Sequence, residues 1–160
     1  MATEELARYP SKGKRRDLDG RWLTLLHRDG LRPYLVDVDP PPELGRAVEE
    51  FNQGQYWHCH ETLERIWLRE NYPVRLFYHG LIKAAVGLLH LKRRNHHGAL
   101  VMLQDAGYAL IPFLPQFMGI DTQKLHGDVL DRIGVLDTEG LADWKAISGL
   151  PSVQINPHCF

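Results

Sequence analysis

The stretch Trp57-His-Cys-His-Glu-Thr-Leu-Glu-Arg-Ile-Trp67 sets two histidines, a cysteine and two glutamates between tryptophans. Imidazoles and carboxylates are the groups that hold divalent metals and move protons near neutral pH. On a wheel of about 100° per residue, Tyr56, Leu63, Glu64 and Trp67 fall within roughly 60° of His60, with Glu61 to one flank and His58 opposite. His60 and Glu64, one turn apart, are expected to face the core. They then need partners from a neighbouring helix, because burying an unpaired imidazole or carboxylate is costly. His79, Lys83 and His90 supply candidates, sharing the side of the next helix opposite Phe77, Leu81 and Leu88.

Three chemistries suit this set. In a structural network Glu64 pairs with Lys83 or Arg75 and fixes helix register. In a metal site His60 and Glu64 give two ligands from one turn and His79 or His90 completes the set. Such mixed N and O donors suit Zn, Mn or Fe better than Ca, although Lys83 would bring positive charge towards the cation. In an acid/base site His60 is the base, Glu64 orients it and Lys83 anchors an anion. No Gly-x-Ser-x-Gly and no cysteine with an evident partner supplies a nucleophile.

The elements that must position these groups are helical. Pro40, Pro41 and Pro42 can open a helix but not continue one, and Leu44, Val48 and Phe51 then form a stripe ending at Gly54. The His60 helix starts at Gln55 and stops near Glu70, before Pro73. The following helix, Pro73 to Arg94, is apolar on both sides, as a central helix is. Its Gly80 and Gly87 share a face where a neighbouring backbone can approach closely. Asn95 caps the next helix, Pro112 and Pro115 interrupt it, and Asp121-Thr122 starts another. "LADWKAI" reads as a short helix before a tail. A faint repeat relates Gly54-Gln-Tyr56-x-x-Cys59 to Arg94-x-His96-x-x-Ala99, each at a helix-to-helix turn. With no alternating strand pattern, the fold class is all-α, a compact array of antiparallel helix hairpins.

"FNQGQYWHCHETLERIW" followed by "RLFYHGLIKAAVGLLHLKRRNHHGA" resembles the DUF309 family, whose hallmark is a His-Glu-x-x-Glu-x-x-Trp segment after Phe-Asn-x-Gly-x-Tyr. The resemblance runs over about residues 44–111. His60, Glu61, Glu64 and Trp67 match, with Phe51, Asn52, Gly54, Tyr56, Gly80, Leu81, Ile82, Asn95, Gly98 and Ala99. It implies a small all-helical domain, often dimeric, with no established activity. The chain departs from the usual pattern at His79 and Lys83, where the family more often has glutamines.

The 160 residues suit one domain. Residues 1–17, with the basic run Lys12 to Arg16, are expected to be a flexible tail, 18–135 the helical domain, and 136–160 a weakly ordered extension. A formal net charge of −1 gives no field for nucleic acid or an anionic membrane. The basic turn Lys92 to His97 reads as a helix C-terminus favoured by the dipole. Cys59 and Cys159 are too far apart to suggest a disulfide framework, which points to a reducing, cytoplasmic setting. The N-terminus lacks a secretory pattern, and no run reaches the roughly 20 apolar residues of a membrane span, so a soluble protein is expected.

These observations predict a domain that binds a partner or a small ligand at a buried patch of Tyr56, His60, Glu61, Glu64, Trp67, His79 and Lys83, and that forms a homodimer. The alternative is a metal-dependent or acid/base enzyme, hydrolase-like, acting on a small polar substrate, with His60, Glu64 and His79 as the metal set.

Overall fold

A computed structural model describes residues 15–29, 39–136 and 142–157. Among them are seven α-helices and no strand: α1 (Arg15–Asp29), α2 (Pro42–Asn52), α3 (Tyr56–Arg69), α4 (Arg75–Lys92), α5 (His96–Leu110), α6 (Thr122–Leu136) and α7 (Trp144–Ser148). A short 3-10 turn, Ile111–Phe113, follows α5, where Pro112 removes a helical donor. The fold is therefore all-α. Each of α2 to α6 packs mainly on its sequence neighbour, α4 holds the middle, and short turns make neighbours antiparallel. No helix is long and apolar enough to cross a membrane among the described residues.

Local chemistry sets the helix ends. Pro42 opens α2, where a missing N–H costs nothing. Asn95 caps α5 by accepting from the Gly98 N–H at 3.0 Å, and the Asp121 carboxylate accepts from the Lys124 N–H at 3.0 Å at the start of α6. The faint repeat is present in the backbone. At the α2–α3 turn the Gly54 N–H donates to Phe51 O at 3.0 Å and the Gln55 N–H to Glu50 O at 2.9 Å. At the α4–α5 turn the Arg94 N–H donates to Leu91 O at 3.0 Å and the Asn95 N–H to His90 O at 2.9 Å, 40 residues later in each case. Gly54 (φ 76°) and Arg94 (φ 58°) both take the left-handed conformation that lets the chain reverse.

Between α4 and α5 the helices approach closely where the glycines lie. A Cβ on Gly87 would stand 2.7 Å from Leu103, and one on Gly80 would stand 3.0 Å from Leu110. Phe77, Phe113 and Phe117 meet with ring centroids 4.8–5.5 Å apart and close the end of the core. Trp22 of α1 stacks parallel to Tyr72 at 6.0 Å.

Two boundaries differ from expectation. Of the tail expected over 1–17, residues 1–14 lie outside the described residues, and 15–17 belong to α1. Of the extension expected over 136–160, residues 137–141 and 158–160 lie outside the described residues, and the remainder packs against the core with Val153 and Ile155 buried. Asn52 holds it, its amide donating to Ile155 O at 2.9 Å and its carbonyl accepting from Ile155 N at 2.7 Å. The Asp121 N–H adds a bond to Asn156 O at 2.9 Å.

Candidate functional site

α3 carries most of the predicted site. Its inner face buries Cys59, Thr62, Leu63 and Ile66, which turns His60, Glu61 and Glu64 towards the rim of that buried face. His60 Nε2 lies 3.5 Å from Glu64 Oε2, with the side chains 22% and 46% exposed. Its Nδ1 is buried without a hydrogen-bond partner, and its ring leans on Trp57 at 5.1 Å. Glu61 is half-buried beside them. The pair therefore forms, but it stands half-open where a buried patch was expected.

The partners foreseen from α4 go elsewhere. Lys83 Nζ reaches Asp105 Oδ2 of α5 at 3.4 Å and not Glu64. His79 lies against the Trp67 ring at 5.3 Å. Seven residues separate Trp67 from His60, about 10 Å of helix axis, and the same step along α4 from His79 leads to Val86. His79 is thus too far along the hairpin to complete a set with His60 and Glu64. Among the described residues no three His, Cys, Asp or Glu side chains converge as metal ligands, so the His60, Glu64, His79 set does not fit a metal.

Trp67 instead serves Arg75. The buried guanidinium sits 4.2 Å from the centre of the Trp67 ring and 5.5 Å from that of Tyr72. An aromatic face stabilises a cation most when water is excluded. Arg75 Nε and Nη2 have no hydrogen-bond partner among the described residues. Tyr56 stands apart, edge-on to Phe51 at 5.5 Å, and lines a cavity near the end of α4. Burial pushes its hydroxyl above the usual tyrosine range, and the charge of Arg132 pulls the other way.

Glu50, with its donor Thr62, escaped the sequence reading. Glu50 is buried and accepts from the Thr62 hydroxyl at 2.6 Å, with Arg46 Nε 3.7 Å away. Next to it, burial and the Glu50 charge push the Cys59 thiol up to about 12, so it stays protonated and unreactive. Tyr78, fully buried with an unpartnered hydroxyl, is also pushed up to about 12 by burial and the Glu70 charge. Glu50 follows Ala47 by three on the buried side of α2, which is the one local signal for it.

Residues 44–102 match the DUF309 family model. Its description is a domain of unknown function. The matched segment spans nearly all of α2 through the first half of α5, so it contains both repeated turns and every predicted site residue. An uncharacterized protein of Aquifex aeolicus (strain VF5) is 26% identical over 125 residues, 74% of this chain and 38% of the relative. The chain thus spans well under half of that relative's length. No solved structure matches.

Proposed function

We propose that the DUF309 segment is an interaction module that pairs with a second copy of the chain through the outward face of α3. One observation carries this: Trp57 and Leu68, 52% and 49% exposed, stand on one line with Glu64 between them. Eleven residues are close to three whole turns, so the two apolar side chains and the acid share a face. Large apolar groups aligned on a surface, a tryptophan above all, are what an interface uses as anchors.

Charge selects the occupant. Tyr56 and Lys92 line one cavity, which puts the start of α3 beside the basic turn of Lys92, Arg93 and Arg94. The face therefore runs from basic residues past Trp57 to Glu61 and Glu64. A two-fold axis near Trp57 sets the basic end of one copy on the acidic stretch of the other, the self-complementarity a closed dimer requires. His79 and Lys83, half-exposed on α4 beside this face, belong to its border.

Sedimentation velocity across a concentration series tests the pairing. A dimer is expected that Trp57→Ala weakens at least about tenfold, as loss of an anchor does. Glu64→Lys and Arg93→Glu should each weaken it and the double variant restore it. A monomer at every concentration, or two charge variants whose effects simply add, overturns the reading.

The carboxylate beside the imidazole favours a second reading, in which His60 Nε2, on the Glu64 side of the ring, accepts a proton from a small polar substrate and the Glu64 carboxylate stabilises the imidazolium that forms. Turnover of any ester or amide in a hydrolase panel, lost in His60→Ala, would support it.

A further inference from the structure

Where α3 begins and α4 ends, a cavity of about 450 Å³ opens between the DUF309 segment and the C-terminal part of the chain. One wall is Asn52, Gly54 and Tyr56, and the other is Arg132 with residues 147, 148 and 150–153. The volume lies within the roughly 300–1,000 Å³ range of small-molecule sites.

Its lining is of two kinds. Leu88, Leu91, Ile147 and Val153 make an aliphatic floor, while Lys92, Arg132 and Tyr56 bring two cations and a phenol. Among the described residues no aspartate or glutamate lines it. Arg132 donates through Nη2 to Pro151 O, which anchors its fork at the cavity's edge. A guanidinium carries five donors, so one backbone bond leaves capacity for an oxyanion. The phenol is raised by burial and lowered by the Arg132 charge, so the guanidinium field reaches it. Two cations lining a partly apolar cavity that no acid lines favour an anionic guest.

We infer that this cavity binds a small organic anion with an aliphatic body: Lys92 and Arg132 hold a carboxylate or phosphate, Tyr56 donates to it, and Leu88, Ile147 and Val153 enclose the chain. Lys92 also stands at the basic end of the proposed dimer face, whereas Leu88, Arg132, Ile147 and Val153 do not, so the sedimentation of Lys92→Gln is compared with that of the parent and loss of the anion in a variant that still pairs is assigned to this cavity. Arg132 and residues 147–153 lie outside the matched DUF309 residues, so half of the site comes from this chain's own C-terminal part.

Calorimetric titration of the full chain with octanoate, octyl phosphate and neutral 1-octanol tests the inference. Saturable binding of at least one anion is expected, about tenfold or more tighter than octanol, as one or two charge-assisted bonds give, and weakening as salt rises. Preference for octanoate identifies a carboxylate guest, and preference for octyl phosphate a phosphate monoester. Lys92→Gln and Arg132→Gln should each weaken the anion about tenfold and leave octanol unchanged. Arg132→Gln also removes the bond to Pro151, so Lys92→Gln, at an exposed side chain, is the variant that separates binding from folding. Equal binding of anion and alcohol, anion binding that survives Lys92→Gln, or no saturable binding of either anion overturns the inference.

Discussion

The α2–α3 and α4–α5 hairpins share one backbone plan 40 residues apart, and they fill it differently. Leu63 and Leu103 are buried at the same position, as are Cys59 and Ala99, and Leu68 and Tyr108 are exposed at the same position. Yet where the first hairpin has His60, Glu61, Glu64 and Trp67, the second has Leu100, Val101, Gln104 and Gly107. The turn and the packed leucines recur without the polar set, while the side-chain cap belongs to Asn95 alone of the two turns. A fold that builds the same hairpin without these groups does not require them for shape, which makes them available for something else. Glu50 and Thr62 are the contrary case, since both are sealed between α2 and α3 and bonded to each other.

Substitutions that move one hairpin towards the other put this contrast to the test. The largest effect should come from Thr62→Val, which keeps the shape and removes the one hydroxyl that donates to buried Glu50 at 2.6 Å. A hydrogen bond to a buried charged group contributes about 2 kcal/mol. Urea unfolding followed by tryptophan fluorescence should show that loss, with a fall in Tm of roughly 4–8 °C. A loss below about 0.5 kcal/mol would mean the Glu50 carboxylate finds another donor. A smaller effect of opposite sign should follow from Arg94→Gly, which copies Gly54. Arg94 holds φ 58°, a conformation that a side chain disfavours and glycine does not. The gain should be about 0.5–1 kcal/mol, raising Tm by a few degrees. No gain would show that the second turn relaxes its strain in ways the first does not.

What was legible in the sequence was local. Gly54, Asn95, Asp121 and Pro42 act on the backbone within a turn or two of themselves, so their effects could be placed from neighbours alone. Gly80 and Gly87 announced a close helix approach because a glycine inside a helix is unfavourable unless something needs the space. What could not be read was the register between helices. A wheel gives the face of His60 and of His79 but not their heights, and it was height that set His79 beside Trp67. Glu50 was hidden for a related reason, because its burial depends on a hydroxyl 12 residues away on another helix. The C-terminal segment shows the limit most clearly: Asn52 binds Ile155 across 103 residues, and nothing near position 155 signals a partner.

The smallest expected change is the most informative about the candidate site. Glu64→Gln copies Gln104, the residue at the same position of the second hairpin, and alters one atom and one charge. The pair it breaks is 3.5 Å long with the carboxylate 46% exposed, and exposed pairs of this kind contribute about 0.5 kcal/mol or less. Urea midpoints of variant and parent should therefore coincide within about that amount. If His60 and Glu64 were instead a sealed network that fixes the helices, removing one partner would cost about 3 kcal/mol or more, and the midpoint would fall plainly. Equal stability with weakened self-association would separate the role of Glu64 from its neighbour Thr62 on the same helix: one polar group kept at the surface for contact, the other enclosed to hold the hairpin.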